Sequence, residues 1–169
     1  MTASDQADLP LRLRPATSAD VPGIVALIDG VYREYGDVIF LEGADADLLK
    51  IDDYYRRPGG EFVVLVDDAG QVFAAHAVHP IDKSQGLCTF RRLYMKPQLR
   101  GGGWGTKVMQ WAIDWAREAG FRRVEFWSDT RFTRAHRFFR RLGFTHDGRI
   151  RHLDDGAMPY SEYFFWREL

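Results

Sequence analysis

The chain has a single cysteine, Cys88, among its 169 residues, and no apolar run approaches the roughly eighteen residues of a membrane span. One cysteine excludes an intrachain disulfide and favours a reducing compartment. The formal net charge of −1 gives no overall attraction to nucleic acid or to an anionic membrane. The first ten residues lack the apolar core of a signal peptide. We therefore expect a cytoplasmic protein that binds neither nucleic acid nor membranes.

Repeats, linkers and low-complexity segments are also missing, and the rest of the composition is typical of one packed domain. Apolar residues make up 46% of the chain and aromatic residues 14%. A chain of this length buries roughly 70% of its unfolded surface on folding. The sequence predicts a flexible leader over residues 1–10 and a single domain over residues 11–169, as a monomer or a homodimer.

The most informative segment is QLRGGGWGT, from Gln98 to Thr106, which follows an apolar run that ends at Met95 and precedes a long amphipathic stretch. Its four glycines leave backbone N–H groups uncovered by side chains. A helix that begins at such a loop adds partial positive charge, which favours phosphate oxygens. The segment therefore predicts a phosphate-binding loop, and the plainer alternative is a glycine-rich turn without a ligand.

Two familiar phosphate-binding motifs do not fit this loop. A P-loop requires glycine, lysine and then serine or threonine, whereas Thr106 separates Gly105 from Lys107. A dinucleotide-binding fingerprint requires a third glycine, and Thr106 or Val108 occupies that place. If the loop binds phosphate, a different motif must account for that binding.

The loop resembles the pyrophosphate loop of the GNAT acetyltransferases, (Gln/Arg)-x-x-Gly-x-(Gly/Ala), with Gln98, Gly101 and Gly103 at the matching places. A second segment, AHRFFRRLGF at residues 135–144, is similar to the family's Ala-x-x-(Leu/Phe)-Tyr-x-x-x-Gly-Phe. The resemblance extends from about Leu11 to the C-terminus. It implies an N-acetyltransferase that takes its acetyl group from acetyl-CoA, passes it to a primary amine and uses no metal.

The same resemblance implies which residues hold the cofactor. Amides of the loop would bind the pyrophosphate, and a backbone N–H at the place of Met95 would bind the thioester oxygen. The cofactor-binding residues implied in this way are Leu93, Met95, Gln98, Arg100, Gly101, Gly102, Gly103, Trp104, Gly105, Thr106 and Phe139.

Two positions depart from the family pattern and leave the catalytic groups open. Many relatives have a tyrosine, the general acid for the departing thiolate, where this chain has Phe139. Many also have a glutamate, a possible base, where this chain has Thr89. Both departures concern catalysis rather than cofactor binding. An acyl-CoA-binding module without transfer activity is therefore the alternative function.

Two side chains are candidate replacements for the catalytic groups. His79 could deprotonate the amine, because a neutral imidazole near pH 7 suits that step, although a histidine at a strand end is also an ordinary surface residue. Tyr94 could donate a proton from its phenol, although an aromatic residue in a strand usually belongs to the core. His76 lies in an apolar run and is expected to be a buried core residue. Asp129 either caps a turn or faces the site.

Two clusters of charge are also open to more than one interpretation. Some arginines of one predicted helix could meet the 3′-phosphate of CoA, while the rest would form a solvated surface; they are Arg131, Arg134, Arg137, Arg140 and Arg141. Five acids ahead of the sheet would either attract a cationic amine or simply solvate a loop, namely Glu42, Asp45, Asp47, Asp52 and Asp53.

Hydrophobic periodicity predicts the order β-α-α-β-β-β-α-β-α-β-β. The predicted strands cover residues 11–14, 62–66, 72–78, 87–95, 123–128, 145–149 and 160–166. Helices are predicted after a Thr17–Asp20 capping box, from about residue 44, over residues 103–119 and over residues 133–141. Because hairpins are mixed with a β-α-β crossover, we expect an α+β fold with a mixed, partly antiparallel sheet of about 6–7 strands and about 4 helices. The GNAT resemblance implies the same fold, with two splayed strands around a cofactor cleft.

Overall fold

The computed structural model describes residues 10–169, so the predicted leader lies outside the described residues except for Pro10. Within this range, seven strands form one sheet in the order β1-β2-β3-β4-β5-β7-β6. Neighbouring strands are antiparallel except β4 and β5, which are parallel. The strands are β1 (Arg12–Pro15), β2 (Glu61–Val66), β3 (Val72–Asp82), β4 (Leu87–Met95), β5 (Arg123–Asp129), β6 (Thr145–Leu153) and β7 (Tyr160–Glu168). This mixed sheet confirms the predicted α+β class.

Three α-helices and one π-helical turn pack around this sheet in the described part of the chain, and they are α1 (Val21–Arg33), α2 (Trp104–Glu118), α3 (Thr133–Arg141) and the turn Asp52–Arg56. The helix predicted from about residue 44 is therefore shorter than expected, and a 3₁₀ turn, Ala46–Leu49, precedes the π-helical turn. Pro58 and the two glycines after it end this segment before a longer helix can propagate. None of the helices within residues 10–169 is long and apolar enough to span a membrane.

The predicted capping box at the start of α1 is confirmed. The backbone N–H of Thr17 donates to the Asp20 carboxylate over 2.8 Å, and the Thr17 side chain and the Asp20 backbone N–H complete the box around the 3₁₀ turn Ser18–Asp20, which leads into α1. Asp20 also pairs with Arg14 of β1 at 2.7 Å, which anchors the helix to the edge strand. The box fixes the direction in which α1 crosses the sheet.

The sheet separates two apolar cores. On the α1 face, Ile24 and Ile28 of α1 pack on Val64 and Ala75, and Tyr94 of β4 borders this core. On the opposite α2 face, α2 and α3 pack on alternate residues of the central strands, including Phe90, Phe126 and Phe165. Since strand side chains alternate, neighbouring residues of β4 and β5 are directed to different faces.

Strands β4 and β5 separate soon after they begin. They pair only at Leu87–Arg123 and Cys88–Val124. Farther along, the register between β3 and β4 shifts by one residue, so that the bulged pair Arg92 and Leu93 lies opposite His76. The bulge bends β4 away from β5, and the splayed strands implied by the GNAT resemblance are present.

Candidate active site

The gap between β4 and β5 opens into a cleft of about 610 Å³. Its α2 face is apolar and includes Phe90, Leu93 and Phe139. Its α1 face is polar and is formed by β4, β5, the end of α1 and the β6–β7 connection; Thr89, Arg91, Tyr94, Glu125, Trp127 and Asp129 belong to it. An apolar arm can thus lie against one side while a polar molecule approaches from the other.

The glycine-rich loop connects the end of β4 to the start of α2. Gly101 and Gly103 have φ angles of 82° and 86°, in the left-handed region that favours glycine. Gly101, Gly102 and Gly103 are exposed. Because α2 begins at Trp104, its first backbone N–H groups have no intrahelical acceptor and are directed toward the loop. This arrangement can hold a phosphate group.

Two arginines border the loop but differ in their contacts. Arg100 makes a bidentate pair with Glu34 at 2.7 Å, and its pKa is raised chiefly by that hydrogen bond. The Arg134 guanidinium lies about 4.0 Å from the place that a side-chain carbon on Gly101 would occupy. Within the predicted arginine cluster, Arg134 is therefore placed to meet an anion at the loop.

The structure divides the eleven residues named above for the cofactor into three groups. Leu93 and Phe139 line the cleft itself, on its α2 face. Met95 and Trp104 pack beside Leu99 in a small apolar cluster, from which the chain continues into the glycine-rich loop. The remaining loop residues follow at the carboxyl end of β4, next to the open end of the gap.

The bulged residue Arg92 has a φ of 60°, the only positive φ of a non-glycine residue in the described chain. Such a conformation costs about 1–3 kcal/mol and persists only where the surroundings fix it. Arg92 is buried and donates to Asp45 over 2.7 Å, from Nε to Asp47 over 3.0 Å, and to the Ala44 carbonyl over 3.0 Å. These contacts hold the loop of residues 44–47 against the bulge.

This ion pair corrects the expectation of an acidic rim. Asp45 and Asp47 are 2% and 7% exposed and lie beneath the surface, whereas Glu42, Asp52 and Asp53 are exposed. Burial raises the pKa of Asp47, but the adjacent Arg92 lowers it further, and the net result is a pKa below the ordinary value. This role is not visible in the sequence, because no local pattern pairs Asp45 with an arginine 47 positions away.

Tyr94 lies on the α1 face of the cleft beside Tyr32. Their hydroxyl oxygens are 3.3 Å apart, and the Tyr32 hydroxyl donates to Asp45 over 3.0 Å. Tyr94 also meets the ring of Phe132 edge-on. Burial raises the pKa of Tyr94, so its phenol keeps its proton at neutral pH and is able to donate it.

His79 lies against the tyrosines of the π-helical turn rather than in the cleft. Its ring is 4.8 Å from that of Tyr54 and 5.8 Å from that of Tyr55, measured between centroids, and Nδ1 is 2.7 Å from the Pro80 carbonyl oxygen. The structure therefore does not bring His79 together with Tyr94 in the cleft.

Glu125 is a cleft residue that the sequence analysis did not single out. It follows Val124 on β5, as Thr89 follows Cys88 on β4, so the two residues start the separated part of the strands. Glu125 accepts a hydrogen bond from Arg123 over 2.9 Å. A carboxylate on β5 thus lies across the gap from the place where many relatives carry one on β4. Only the strand pairing, which is not visible in the sequence, could have identified it.

Asp129 combines the two roles left open above. It accepts a hydrogen bond from the Arg131 backbone N–H over 2.9 Å and so caps the turn after β5. It also lines the cleft and, together with Asp37, pairs with the Arg131 side chain. Two carboxylates around one guanidinium leave this corner with excess negative charge.

His76 is buried as expected, and its Nδ1 lies 3.0 Å from the Arg91 carbonyl oxygen at the bulge. That oxygen can only accept, so Nδ1 carries the proton and Nε2, which has no partner among the described residues, carries the lone pair. Burial lowers the pKa of His76 from 6.5 to about 4. The folded protein therefore holds His76 neutral at pH values where an unfolded chain would protonate it.

We expect the free energy of unfolding to fall as the pH is lowered from about 6.5 to about 4, since only the unfolded state gains a proton on His76 over that range. The loss from this one group is about 3 kcal/mol, and it levels off below the folded pKa. His136, whose pKa burial also lowers to about 4, adds a second such loss. In a His76→Asn variant, denaturant titrations at a series of pH values should show a smaller slope over this range. An unchanged slope would contradict the assignment.

Comparison with known proteins identifies the family to which this cleft and loop belong. The model of the acetyltransferase (GNAT) family matches residues 28–144. The chain belongs to the GNAT acetyltransferase family. Among curated proteins it is 30% identical over 138 residues to YjgM, an uncharacterised N-acetyltransferase of Escherichia coli. The aligned region covers 79% of this chain and 81% of the relative. It is also 30% identical over 135 residues to the aminoalkylphosphonate N-acetyltransferase of Salmonella typhimurium, over 78% and 83% of the two chains.

Solved structures of the GNAT family share its fold. A GNAT acetyltransferase of Staphylococcus aureus superposes with a TM-score of 0.82 at 16% identity, over 95% of this chain and 99% of the other. A phosphinothricin acetyltransferase of Sinorhizobium meliloti, solved in complex with AcCoA, superposes with a TM-score of 0.72 at 20% identity, over 94% and 88%. This chain therefore has the fold of the acetyltransferase family to which its sequence assigns it.

Proposed function

We propose that this protein transfers an acetyl group from acetyl-CoA to the primary amine of an acceptor by direct attack. The observation that carries the proposal is the separation of β4 from β5 directly beside the glycine-rich loop. If the diphosphate of acetyl-CoA binds at the start of α2, the arm that carries the acetyl group can extend along β4 into the gap. The solved relative in complex with AcCoA supports this choice of donor.

The donor would lie along the α2 face of the cleft. The amides at Gly101, Gly103 and the start of α2 would bind its phosphates, with Arg134 nearby. Leu93 and Phe139 would contact the apolar part of the arm. A backbone N–H of the β4 segment at Leu93 or Met95 would stabilise the charge that develops on the thioester oxygen.

The chemistry requires one bond to form and one to break. The amine nitrogen attacks the thioester carbonyl carbon, a C–N bond forms, the C–S bond breaks, and the thiolate of CoA departs. The amine must lose a proton, and Glu125 on the α1 face is the carboxylate placed to accept it, directly or through water. The phenol of Tyr94 would protonate the thiolate. This assignment leaves Phe139 as a contact for the arm and His79 outside the reaction.

The acceptor would enter from the polar α1 face. The Asp37, Asp129 and Arg131 cluster carries one more negative than positive charge, which favours a protonated amine on approach. An aminoalkylphosphonate N-acetyltransferase is among the relatives, so aminoalkylphosphonates are suitable first acceptors to test.

A Tyr94→Phe variant is expected to bind acetyl-CoA normally but to turn over roughly 100-fold more slowly, because it lacks the proton donor. Release of the CoA thiol in the presence of a competent amine, under single-turnover conditions, measures the effect. A Tyr35→Phe variant is the control, since Tyr35 is exposed and packs on Phe132. Equal rates for Tyr94→Phe and the wild type would remove Tyr94 from the reaction.

The same assay distinguishes the acetyltransferase from an acyl-CoA-binding module without transfer activity. A binding module would take up acetyl-CoA, as measured by calorimetry, yet release no thiol with any amine. Amine-dependent thiol release that matches formation of the acetylated amine would support the enzyme and exclude the module.

A further inference from the structure

Four arginines line the cleft, and three of them are paired with carboxylates within residues 10–169. Arg92 pairs with Asp45 and Asp47, Arg131 with Asp37 and Asp129, and Arg151 with Glu162. The fourth, Arg91, makes no ion pair with any described carboxylate. This difference marks one position on the α1 face where positive charge has no matching acid.

The surroundings of Arg91 fix its side chain and leave donors available. Its Nη1 donates to the Tyr54 hydroxyl over 2.6 Å, and the guanidinium lies 5.4 Å from the centre of that ring. Arg91 lines the cleft, and its side chain has no other hydrogen-bond partner among the described residues. Because the Tyr54 oxygen accepts from Arg91, its own hydroxyl hydrogen can be donated elsewhere.

Nearby acids do not satisfy Arg91. Asp47 interacts with Arg91 only through the attraction of their charges, because its carboxylate already accepts hydrogen bonds from Arg92 and from the Tyr55 hydroxyl. The adjacent charge on β4 is Arg92, of the same sign. A planar guanidinium held in this way suits two oxygens of a carboxylate or phosphonate, which it can bind in a bidentate manner.

We propose that Arg91, positioned by the Tyr54 hydroxyl, forms a subsite for an anionic oxyacid group on the acceptor, so that the acceptor is an amine that also carries a carboxylate or phosphonate. The inference rests on the proposed acetyl transfer and names its substrate class. Arg91 holds the acid group toward the narrow end of the gap, where Glu125 also lies, and the corner of Asp37 and Asp129 attracts the protonated amine as it enters from the wide end. The phosphates of the donor are assigned to a different place, because the glycine-rich loop follows the carboxyl end of β4 whereas Arg91 lies at the middle of that strand.

The test uses four small amines with matched backbones. Aminomethylphosphonate and glycine carry an acid group, ethylamine is neutral apart from its amine, and ethylenediamine carries a second cation. Calorimetric titration of each amine into the protein, with coenzyme A present, measures binding without requiring turnover. The wild type is expected to bind one or both of the acids more tightly than ethylamine, and the comparison of the two acids separates phosphonate from carboxylate.

An Arg91→Met variant should bind the preferred acid roughly 10- to 100-fold more weakly, because charge-assisted hydrogen bonds are lost, while ethylamine binding changes little. Arg91→Lys should recover part of the affinity. Arg149→Met removes the same charge from an exposed residue outside the cleft, and it should leave the order of the amines unchanged. Thermal unfolding of each variant checks that the fold is retained.

The outcomes separate the two proposals. The subsite is overturned if the wild type and Arg91→Met bind the acid equally well. It is also overturned if ethylamine binds more tightly than either acid, or if Arg91→Met weakens the binding of acetyl-CoA rather than that of the amine. If the wild type binds the acid through Arg91 but no acetyl group is transferred to it, the subsite stands and the proposed function fails.

Discussion

A Gly103→Glu variant is expected to lose about 100-fold or more in affinity for acetyl-CoA, because the new carboxylate repels the phosphates and covers the amides that would bind them. The fold should be retained, since nothing lies within 4 Å of the place where the new side chain would begin. Calorimetric titration with acetyl-CoA measures the affinity, and circular dichroism checks the fold.

The matched control lies at the other end of the same helix. Gly120 has a φ of 92°, is exposed, and also has nothing within 4 Å of a new side-chain carbon. Gly120→Glu thus introduces the same charge and a similar backbone strain away from the loop. It should bind acetyl-CoA as the wild type does. Similar affinities for the two variants would show that the loop does not hold the phosphates.

An Arg92→Met variant is expected to lose about 3–5 kcal/mol of stability, because two buried carboxylates remain without their partner. The deficit should shrink as the pH is lowered toward 4. Without Arg92, burial would raise the folded-state pKa of Asp47 above the unfolded value, so the folded variant gains a proton first as the pH falls. Denaturant titrations at neutral and acidic pH measure both effects.

Rescue by further substitution separates the ion pair from other roles of Arg92. A triple variant with Arg92→Met, Asp45→Asn and Asp47→Asn removes all of these charges and should recover much of the lost stability. Arg33→Met, which breaks an exposed pair with Asp29, should cost less than about 1 kcal/mol. If Arg92→Met costs no more than Arg33→Met, the buried pair does not hold the bulge.

Much of the fold could be predicted from the chain because its signals are local. Strand β4 and helix α3 begin and end at the predicted residues, since alternation and an amphipathic face followed by Gly143 define them without distant partners. The segment of residues 44–57 was harder to predict. Its conformation depends on Asp45 and Asp47 reaching Arg92, and such a contact across the chain leaves no periodic signal.

The candidate site divides in the same way. A glycine-rich loop before an amphipathic helix is visible in sequence, because left-handed glycines and a helix start are local features. The bulge at Arg92, the pairing that places Glu125 across the gap, and the unmatched charge of Arg91 all depend on which strands lie side by side. His79 illustrates the limit, because its position at the end of an apolar strand gives no sign of the two tyrosines that pack against it.

The most direct test of the account is a reaction of the wild-type protein with acetyl-CoA labelled isotopically in its acetyl group and aminomethylphosphonate as acceptor, followed by mass spectrometry. We expect the labelled acetyl group to appear on the amine nitrogen in an amount equal to the free CoA thiol, and we expect Gly103→Glu to abolish both at the same acetyl-CoA concentration. Bound acetyl-CoA that stays intact with aminomethylphosphonate, glycine, ethylamine and ethylenediamine alike would contradict it.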